Sequence, residues 1–476
     1  MRWKLLVFLI PLASVAGLRF APEQAAGQPP PPPPPPKQAP QGPMPPPGAP
    51  PPPAAPAQTP IAALGKTIFF DTRLSSPAGL ACASCHAPPA GFTYPNSAQN
   101  AQLGVASGAV AGRFGNRKPP TVSYASFSPN GPTFNANAKV YVGGLFWDGR
   151  AATLAAQVQG PLFNPNEMNN IVHNLASPAL VVQTISTGPY AAQFQQVFGA
   201  NVFTLPATQV VTFLAQAVAA WEATSEVSPF SSQYDAWVAG KFQFNPSQLD
   251  GIQLATGSTT GRPGGPAHKS AQCFQCHSIP AVAGAGPDLW TSFAYANTGV
   301  PKNPNNPYYT QTNAQTNPLG FNPLGANYVD YGLGDFLYPA NNLPIGNLGA
   351  GSNGQGDYLA INGTFKIPTL RNVDKRPNPN FVKAYGHNGF FKSLPQVVHF
   401  YNTRNLTTQP GEVIDFTQAN PYAGLKGQPL WPPPEVPSPV TLRNPTGALG
   451  QIGNLGLTPQ EEADIVAFLM TLSDGP

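Results

Sequence analysis

The chain contains 476 residues, of which 62 are Pro, 47 are Gly and only 9% carry a charged side chain. Its formal net charge of +4, spread over this length, gives no indication of nucleic-acid binding. The length is sufficient for two or three domains. The composition therefore favours an ordinary polar surface, although weak basicity would also suit the docking of an acidic partner protein.

The N-terminus is typical of a secretory signal. Two basic residues, Arg2 and Lys4, precede an apolar run over residues 5–15, and small residues follow it. This run is shorter than the roughly 20 residues that a membrane-spanning helix requires. We therefore predict a signal peptide over residues 1–21 and a periplasmic location, with membrane contact only if the segment is not cleaved.

Residues 22–60 form a low-complexity segment rich in Pro, Ala, Gly and Gln, with an unbroken run of Pro over residues 29–36. Such a composition cannot bury a core and favours extended polyproline II backbone. We predict a disordered linker between the export signal and the folded part.

All four cysteines of the chain belong to two Cys-x-x-Cys-His motifs. The motif residues are Cys82, Cys85 and His86 in the first copy and Cys273, Cys276 and His277 in the second. In such a motif the two thiols bond to the porphyrin vinyl groups, and the adjacent His becomes the proximal iron ligand. The Nδ1–H of this His is expected to donate to a backbone carbonyl, which leaves Nε2 for the iron. We predict two covalently bound haem c groups.

Three other interpretations of the cysteines are weaker. A zinc site built from all four is disfavoured because the two pairs are far apart in the sequence and a His follows each pair. A thioredoxin-like redox pair would require a βαβ context that the sequence does not indicate. Structural disulfides, common in exported proteins, would not account for His86 and His277.

The folded part has the form of a degenerate repeat. Each copy begins with an amphipathic helical segment, at residues 61–70 and 245–254, followed by a Cys-x-x-Cys-His motif. Each copy ends with an apolar helix, at residues 208–224 in the first and after Thr458 in the second. Thr458 and Glu461 form a capping box at the start of that last helix. Two successive cytochrome c domains would show this pattern.

We predict an all-α fold with an N-terminal domain over residues 61–235 and a C-terminal domain over residues 236–476. Almost no β-structure is expected beyond short hairpins. A long region over residues 278–365, rich in Asn, Pro, Gly and Tyr, is predicted to form irregular loops that wrap the porphyrin.

Further motifs resemble those of one protein family. Phe146-Trp-Asp-Gly-Arg-Ala-Ala152, Lys366-Ile-Pro-Thr-Leu-Arg-Asn372 and Tyr385-Gly-His-Asn-Gly389 are similar to segments of the bacterial di-haem cytochrome c peroxidase and MauG superfamily. Residues 64–74 and 160–168 show the same likeness. The resemblance extends over nearly the whole chain after the Pro-rich linker. It implies two all-α cytochrome c domains whose haems face each other, and a periplasmic oxidoreductase that reduces hydrogen peroxide.

The resemblance also implies residue roles and partners. The first haem would be peroxidatic, and the second would pass electrons from a small donor protein such as a cytochrome c or a cupredoxin. Trp147 corresponds to a residue between the haems, and Glu167 corresponds to the distal acid that moves a proton during peroxide cleavage. Without the resemblance, Trp147 would be interpreted as a core aromatic and Glu167 as half of a salt bridge at a helix end. The oligomeric state is left open, with a homodimer as one option.

The sixth ligands of the irons distinguish members of this superfamily. Peroxidases that must be reduced before reaction have a His some 15–20 residues after the first motif, which is a property of the family. This chain has no His between His86 and His173. The first haem is therefore expected to be open to peroxide.

At the second haem, Tyr401 is the predicted sixth ligand. Related peroxidases supply a Met on the helix after the Tyr-x-His-x-Gly motif, whereas the corresponding position here is Tyr401, as in MauG. On a helical wheel Leu394, Val397 and Tyr401 share one face, and His399 points nearly opposite. His399 as the ligand and a merely packed Tyr401 are the alternatives.

Calcium between the domains is possible but doubtful. The family often binds Ca²⁺ through an Asn in an Arg-Asn-x-Pro-Thr motif, and here Lys118 occupies that position. A Lys cannot ligate Ca²⁺, but its ammonium group could take the place of the cation. Of the other histidines, His387 is expected to pack against haem or to bond a propionate, and His173 and His268 to lie in loops.

Two other functions stay open. A MauG-like enzyme would use high-valent haem iron to oxidise a partner protein or an organic substrate. A non-catalytic di-haem electron-transfer cytochrome would have both irons six-coordinate, and Glu167 and the missing His argue against it. Oxidative cleavage of an apolar polymer is a more remote alternative.

Overall fold

The computed structural model describes residues 59–138, 140–280, 286–311, 322–337, 361–407, 430–437 and 452–475. The predicted signal peptide and nearly all of the predicted linker lie outside these residues. None of the described helices is both long and apolar enough to cross a membrane.

Helices make up most of the regular structure, as predicted. In the described part of the chain they are α1 (Pro60–Phe69), α2 (Cys82–Cys85), α3 (Ser97–Gln102), α4 (Leu154–Phe163), α5 (Pro178–Ser186), α6 (Ala191–Phe198), α7 (Ala207–Glu222), α8 (Gln233–Val238), α9 (Pro246–Thr256), α10 (Leu333–Leu337), α11 (Leu394–Thr403) and α12 (Pro459–Met470).

The β-structure of the described residues consists of three short antiparallel pairs. These are β1 (Thr133–Asn135) with β2 (Val140–Val142), β3 (Ile171–Val172) with β4 (Leu175–Ala176), and β5 (Tyr295–Ala296) with β6 (Phe365–Lys366). The first two pairs are hairpins, as expected. The third is not a hairpin, because its two strands are about 70 residues apart in the sequence. Their pairing brings the start and the end of the long loop region together.

Helices α1 and α7 form the centre of the first core. Thr59 caps α1 with its hydroxyl, and Pro60 begins the helix where no backbone N–H is needed. One face of α7, the predicted apolar helix, is buried, with five residues at most 1% exposed: Val211, Leu214, Ala215, Val218 and Trp221. Gly65 allows α1 to approach α7 closely, because a Cβ at this position would overlap the carbonyl of Ala217.

Helices α9 and α12 repeat this arrangement in the second core. The predicted capping box of α12 is confirmed, with Thr458 and Glu461 each bonding the other's backbone N–H. Gly251 of α9 allows the close helix contact, because a Cβ there would overlap the carbonyl of Asp464. The same kind of helix pair, with a glycine at the crossing in each copy, supports the interpretation of the chain as a repeat.

The buried apolar residues form two large clusters. One is built from residues 61–227 and the other from residues 234–472. Buried polar contacts join them: the Tyr124 hydroxyl donates to Asp474 at 2.8 Å, and Arg117 forms an ion pair with Asp330 at 2.7 Å. The exact boundary between residues 235 and 236 stays a prediction.

Candidate functional site

The first Cys-x-x-Cys-His motif lies in the wall of a large cavity. Cys82 and Cys85 are the two ends of the single turn α2, and His86 follows directly. The space between its lining residues is about 1020 Å³, including the part that is open to solvent. Its wall is largely apolar and includes Phe69, Val122, Val158, Met168 and Val218.

His86 is oriented by the backbone. Its Nδ1 lies 3.3 Å from the carbonyl oxygen of Phe92. A carbonyl oxygen can only accept, so Nδ1 carries the proton and Nε2 keeps its lone pair. Burial lowers the pKa of His86 to about 4, so the imidazole is neutral at physiological pH. A neutral imidazole with a fixed tautomer is the form that ligates iron.

The second motif has the same construction. Cys273, Cys276 and His277 line a cavity of about 1350 Å³, and Nδ1 of His277 lies 3.0 Å from the carbonyl oxygen of Trp290. Burial lowers the pKa of His277 to about 4. The expected contact of Nδ1 with a carbonyl is thus present in both copies.

The cysteines occupy two separate cavities, which excludes a zinc site shared by all four. No disulfide joins any of the four. Burial raises the pKa of Cys82, Cys85 and Cys273 to about 12 and that of Cys276 to about 11. A protonated thiol beside a cavity of this size and an oriented neutral His is a donor set that fits a covalently attached haem.

Glu167 lies in the first cavity, in the turn that follows α4. Its backbone N–H donates to the carbonyl of Asn164 at 3.0 Å, and its carbonyl accepts from the N–H of Ala109 at 2.7 Å. Burial raises the pKa of the Glu167 carboxyl, while Arg150 and the Asn164 side chain oppose this shift. A carboxyl group with a raised pKa is suited to accept and return a proton near neutral pH.

A polar vestibule adjoins the first cavity next to Glu167. Its volume is about 710 Å³, and it shares Gly115, Asn116 and Asn166 with the wall of the first cavity. Asn164, Asn174 and Tyr308 also line it, and none of its lining side chains is charged. Such a lining suits small neutral polar molecules.

Trp147 lies between the two cavities. Among the described residues it is the one that lines both. Its Nε1 donates to the carbonyl of Lys118 at 2.8 Å, and its own carbonyl accepts from the N–H of Lys366 at 2.8 Å. The indole is therefore held by the first half of the chain and its backbone by the second.

Helix α11 presents Tyr401 to the second cavity. Leu394, Val397 and Tyr401 all line this cavity, as the helical wheel predicted. His399 instead contacts Glu462 of α12, with Nδ1 2.9 Å from the carboxylate. Burial raises the pKa of the Tyr401 phenol to about 12, and the nearby Cys276 adds to this effect.

The methionines do not provide an alternative ligand at the second cavity. Met168 is 5% exposed and belongs to the first core, whereas Met470 is 48% exposed at the end of α12. Neither is among the residues that line the second cavity. Met1 and Met44 lie outside the described residues.

The remaining histidines include one at the second cavity and two in loops, and contact of His387 with a haem stays a prediction. His387 is 4% exposed, lines the second cavity and stacks on the ring of Phe365 at 3.5 Å. His173 and His268 lie in a hairpin turn and a loop.

Lys118 carries buried charge at the wall of the first cavity. Its side chain is 7% exposed and donates to the carbonyl of Pro119 at 3.1 Å. Burial lowers its pKa to about 8. In the described part of the chain, no three side chains of His, Cys, Asp or Glu converge to hold a metal ion.

One acidic residue of the first cavity was missed by sequence reasoning. Glu222, at the end of α7, is 2% exposed and lines the cavity. Its Oε2 has no hydrogen-bond partner among the described residues, and burial raises its pKa to about 8. The signal available in the sequence was an acid directly after Trp221 in an otherwise uncharged helix. A neutral carboxyl in this wall is compatible with a bound haem edge.

Comparisons with known proteins identify the family of the chain. The family model for di-haem cytochrome c peroxidase matches residues 59–243. The methylamine utilization protein MauG of Paracoccus denitrificans is 33% identical over 422 residues, covering 88% of this chain and 90% of that protein. The cytochrome c551 peroxidase of Nitrosomonas europaea is 27% identical over 345 residues, covering 72% and 73%.

A solved structure shows the same likeness. The diheme peroxidase BthA from Burkholderia thailandensis has a TM-score of 0.63 at 28% identity, covering 87% of this chain and 86% of that one. The chain belongs to the di-haem cytochrome c peroxidase and MauG superfamily. It is a peroxidase-type oxidoreductase, and its family uses two haem cofactors.

Proposed function

We propose that this enzyme reduces hydrogen peroxide at a haem held by Cys82, Cys85 and His86. Electrons would reach this site through a second haem held by the motif that ends in His277. The observation that carries the proposal is that Glu167 lines the first cavity while Trp147 lines both. The same site would thus have Glu167 for proton transfer and Trp147 as a bridge for electrons.

Each of these side chains has its own role in the proposed reaction. His86 and His277 would hold the two irons through Nε2, and bound haem would supply the redox chemistry of peroxide reduction. Glu167 would take a proton from one oxygen of hydrogen peroxide and return it to the other, which leaves as water. Two electrons and two further protons complete the conversion of one peroxide to two waters. The amide-lined vestibule would admit the neutral peroxide and exclude anions.

The haem content tests the central claim. We expect two haems per chain in a pyridine haemochrome assay, and none extracted by acid–acetone, because each haem would be bonded to two thiols. A variant with Cys273 and Cys276 both replaced by Ala should retain one covalent haem, which serves as the matched control. Extractable haem in the native protein, or a single haem per chain, would contradict covalent attachment at both motifs.

The state of the oxidised enzyme tests the open first site. We expect the fully oxidised protein to show a high-spin ferric EPR signal and to react with hydrogen peroxide without prior reduction. The reason is that the lining of the first cavity includes His86 as its one His among the described residues. Stopped-flow mixing of oxidised and half-reduced protein measures this. A reaction that occurs only after half-reduction would show that another residue blocks the iron.

A MauG-like activity is the second candidate. It is favoured by Tyr401 at the wall of the second cavity and by the 33% identity to MauG over most of both chains. A phenolate ligand is anionic and stabilises oxidised iron, so such a haem would be a poor acceptor of electrons from a soluble donor. In that case the oxidising equivalents would be used on a partner protein or an organic substrate.

The proposed setting is the periplasm, reached through the predicted signal peptide. The proposed partners are hydrogen peroxide and a small electron-donor protein such as a cytochrome c or a cupredoxin. Because Lys118 already places a buried ammonium group at the wall of the first cavity, the proposal includes no Ca²⁺.

A further inference from the structure

The turn that bears Glu167 rests on a loop formed by residues 107–117. The N–H of Ala109 donates to the carbonyl of Glu167 at 2.7 Å. Arg113 donates from Nη1 to Asn169 Oδ1 at 3.1 Å and to the carbonyl of Pro165 at 3.4 Å. The loop therefore contacts the turn at Glu167 itself and two residues to either side of it, at Pro165 and Asn169.

Close backbone contact between the loop and the turn depends on Gly108. A Cβ at this position would overlap the carbonyl of Asn166, so any larger residue would push the two segments apart. The loop itself is closed by the N–H of Gly108, which donates to the carbonyl of Arg113 at 2.8 Å. A displacement at one end of this short closed loop is thus transmitted to the other.

A residue from the second half of the chain holds the far side of the loop. Gln311 accepts from the N–H of Phe114 through Oε1 at 2.7 Å and donates from Nε2 to the carbonyl of Phe114 at 2.8 Å. The side chain thereby pairs with both backbone groups of one residue, as a neighbouring β-strand would. Gln311 is 3% exposed, so water does not compete for these bonds.

Two neighbouring contacts also join this side of the loop to the second half of the chain. The side-chain amide of Asn306 donates to the carbonyl of Asn116 at 2.8 Å. Arg117 pairs with Asp330 at 2.7 Å through a buried guanidinium. The loop is thus held between the Glu167 turn on one side and the second half of the chain on the other.

We propose that Gln311 is a positioning residue for peroxide cleavage, because its two bonds to Phe114 fix the loop that fixes Glu167. This inference rests on the proposed role of Glu167 in proton transfer. It adds that the geometry of the first site is set in part by the second half of the chain. The two bonds between Gln311 and Phe114 are called the clamp below. Small displacements of a reacting group cost up to roughly 100-fold in rate, so the clamp has a measurable effect on turnover.

Hydrogen exchange tests the clamp independently of activity. In the haem-loaded enzyme, Gln311→Ala should speed exchange of the Phe114 and Ala109 amides by roughly 10-fold or more, because both lose support from the closed loop. Gln253→Ala is the matched control, since it also removes a side-chain amide bond to a carbonyl, that of Thr259 at 2.7 Å, at a distant site. The control should leave both amides unchanged.

Turnover provides the second measurement. Gln311→Ala should lower kcat for hydrogen peroxide by roughly 10- to 100-fold with two haems still bound. The fall should appear in kcat at saturating hydrogen peroxide, and KM is measured alongside it because Gly115 and Asn116 of the same loop line the vestibule.

The pH profile of Gln311→Glu distinguishes a positioning role from a general loss of structure. An ionised carboxylate keeps the bond from the Phe114 N–H but faces the Phe114 carbonyl without a proton to donate. A protonated carboxyl restores both bonds. Burial beside a carbonyl raises the pKa of the introduced group, so turnover relative to the native enzyme should approach one at acidic pH and fall as pH rises through that pKa. Gln311→Ala should show no such recovery.

The outcomes separate this inference from the proposed function. If Gln311→Ala speeds amide exchange but leaves kcat unchanged, or if neither changes, Gln311 has no positioning role. A pH-independent defect in Gln311→Glu would equally overturn the clamp. If Glu167→Gln alone is without effect on turnover, the assignment of Glu167 fails, whereas the exchange result for Gln311 still reports whether the clamp exists.

Discussion

Replacing Glu167 with Gln is expected to slow peroxide turnover by roughly 10²–10⁴-fold, the usual effect of losing a positioned acid–base group. Gln has the same shape but cannot take a proton from peroxide, so binding of both haems should be unaffected. The measurement is steady-state and stopped-flow kinetics with hydrogen peroxide at matched haem content. Glu226→Gln is the control, because Glu226 is exposed and its partners among the described residues are Lys66 and the Trp221 indole.

The pH dependence of the same variant gives the sign of the effect. On the proposed mechanism Glu167 acts as a base in its ionised form, and burial raises its pKa. In the native enzyme, kcat/KM should therefore fall as pH drops through this raised pKa, because the carboxyl becomes protonated. Glu167→Gln should remove that acidic limb. An acidic limb that persists in the variant, or turnover that is unchanged, would mean that another group serves as the base.

The Tyr401→Phe substitution is expected to have the largest effect on the second haem. Removing the phenol oxygen should abolish a Tyr-ligated signal in the EPR spectrum and leave that iron five-coordinate or bound by an adventitious ligand. Tyr401→Met should raise the potential of the second haem by on the order of 0.1 V or more, since axial ligands set haem potentials over roughly 0.8 V. Redox titration followed by optical and EPR spectra measures both.

The control for Tyr401 is a second tyrosine in the same cavity. Tyr385 also lines the second cavity, so Tyr385→Phe removes a hydroxyl group from the same environment. Its EPR signals and potential should resemble those of the native protein. If the spectrum and potential survive Tyr401→Phe unchanged, Tyr401 is only a packed aromatic and His399 becomes the next residue to replace.

The pKa of Tyr401 explains why this test is informative. Burial raises the phenol pKa to about 12, so the protein by itself keeps the hydroxyl protonated. Only a strong positive charge nearby would favour the phenolate, and a bound metal ion reverses the local pKa preference in this way. Ionisation of Tyr401 at neutral pH would therefore itself be evidence of iron ligation.

The sequence by itself determined the features that depend on residues close to each other in the chain. The two Cys-x-x-Cys-His motifs predict the attachment residues because two thiols and a His must be adjacent to react with one porphyrin. Capping at Thr458 and the apolar face of α7 were predictable because helix starts and helical periodicity depend on residues within a few positions of each other. The choice of Tyr401 over His399 as the residue facing the cavity follows from the same periodicity.

Contacts between distant residues were decided only by the tertiary structure. Glu167, Trp147 and Glu222 share one cavity wall because loops without any periodic pattern bring their segments together. The pairing of Gln311 with Phe114 joins the two halves of the chain through one side chain and one backbone unit, and backbone groups leave no trace in a sequence. Burial, which sets the pKa values of Glu167 and Glu222, likewise depends on the packing of the whole molecule and not on the neighbours of each residue in the chain.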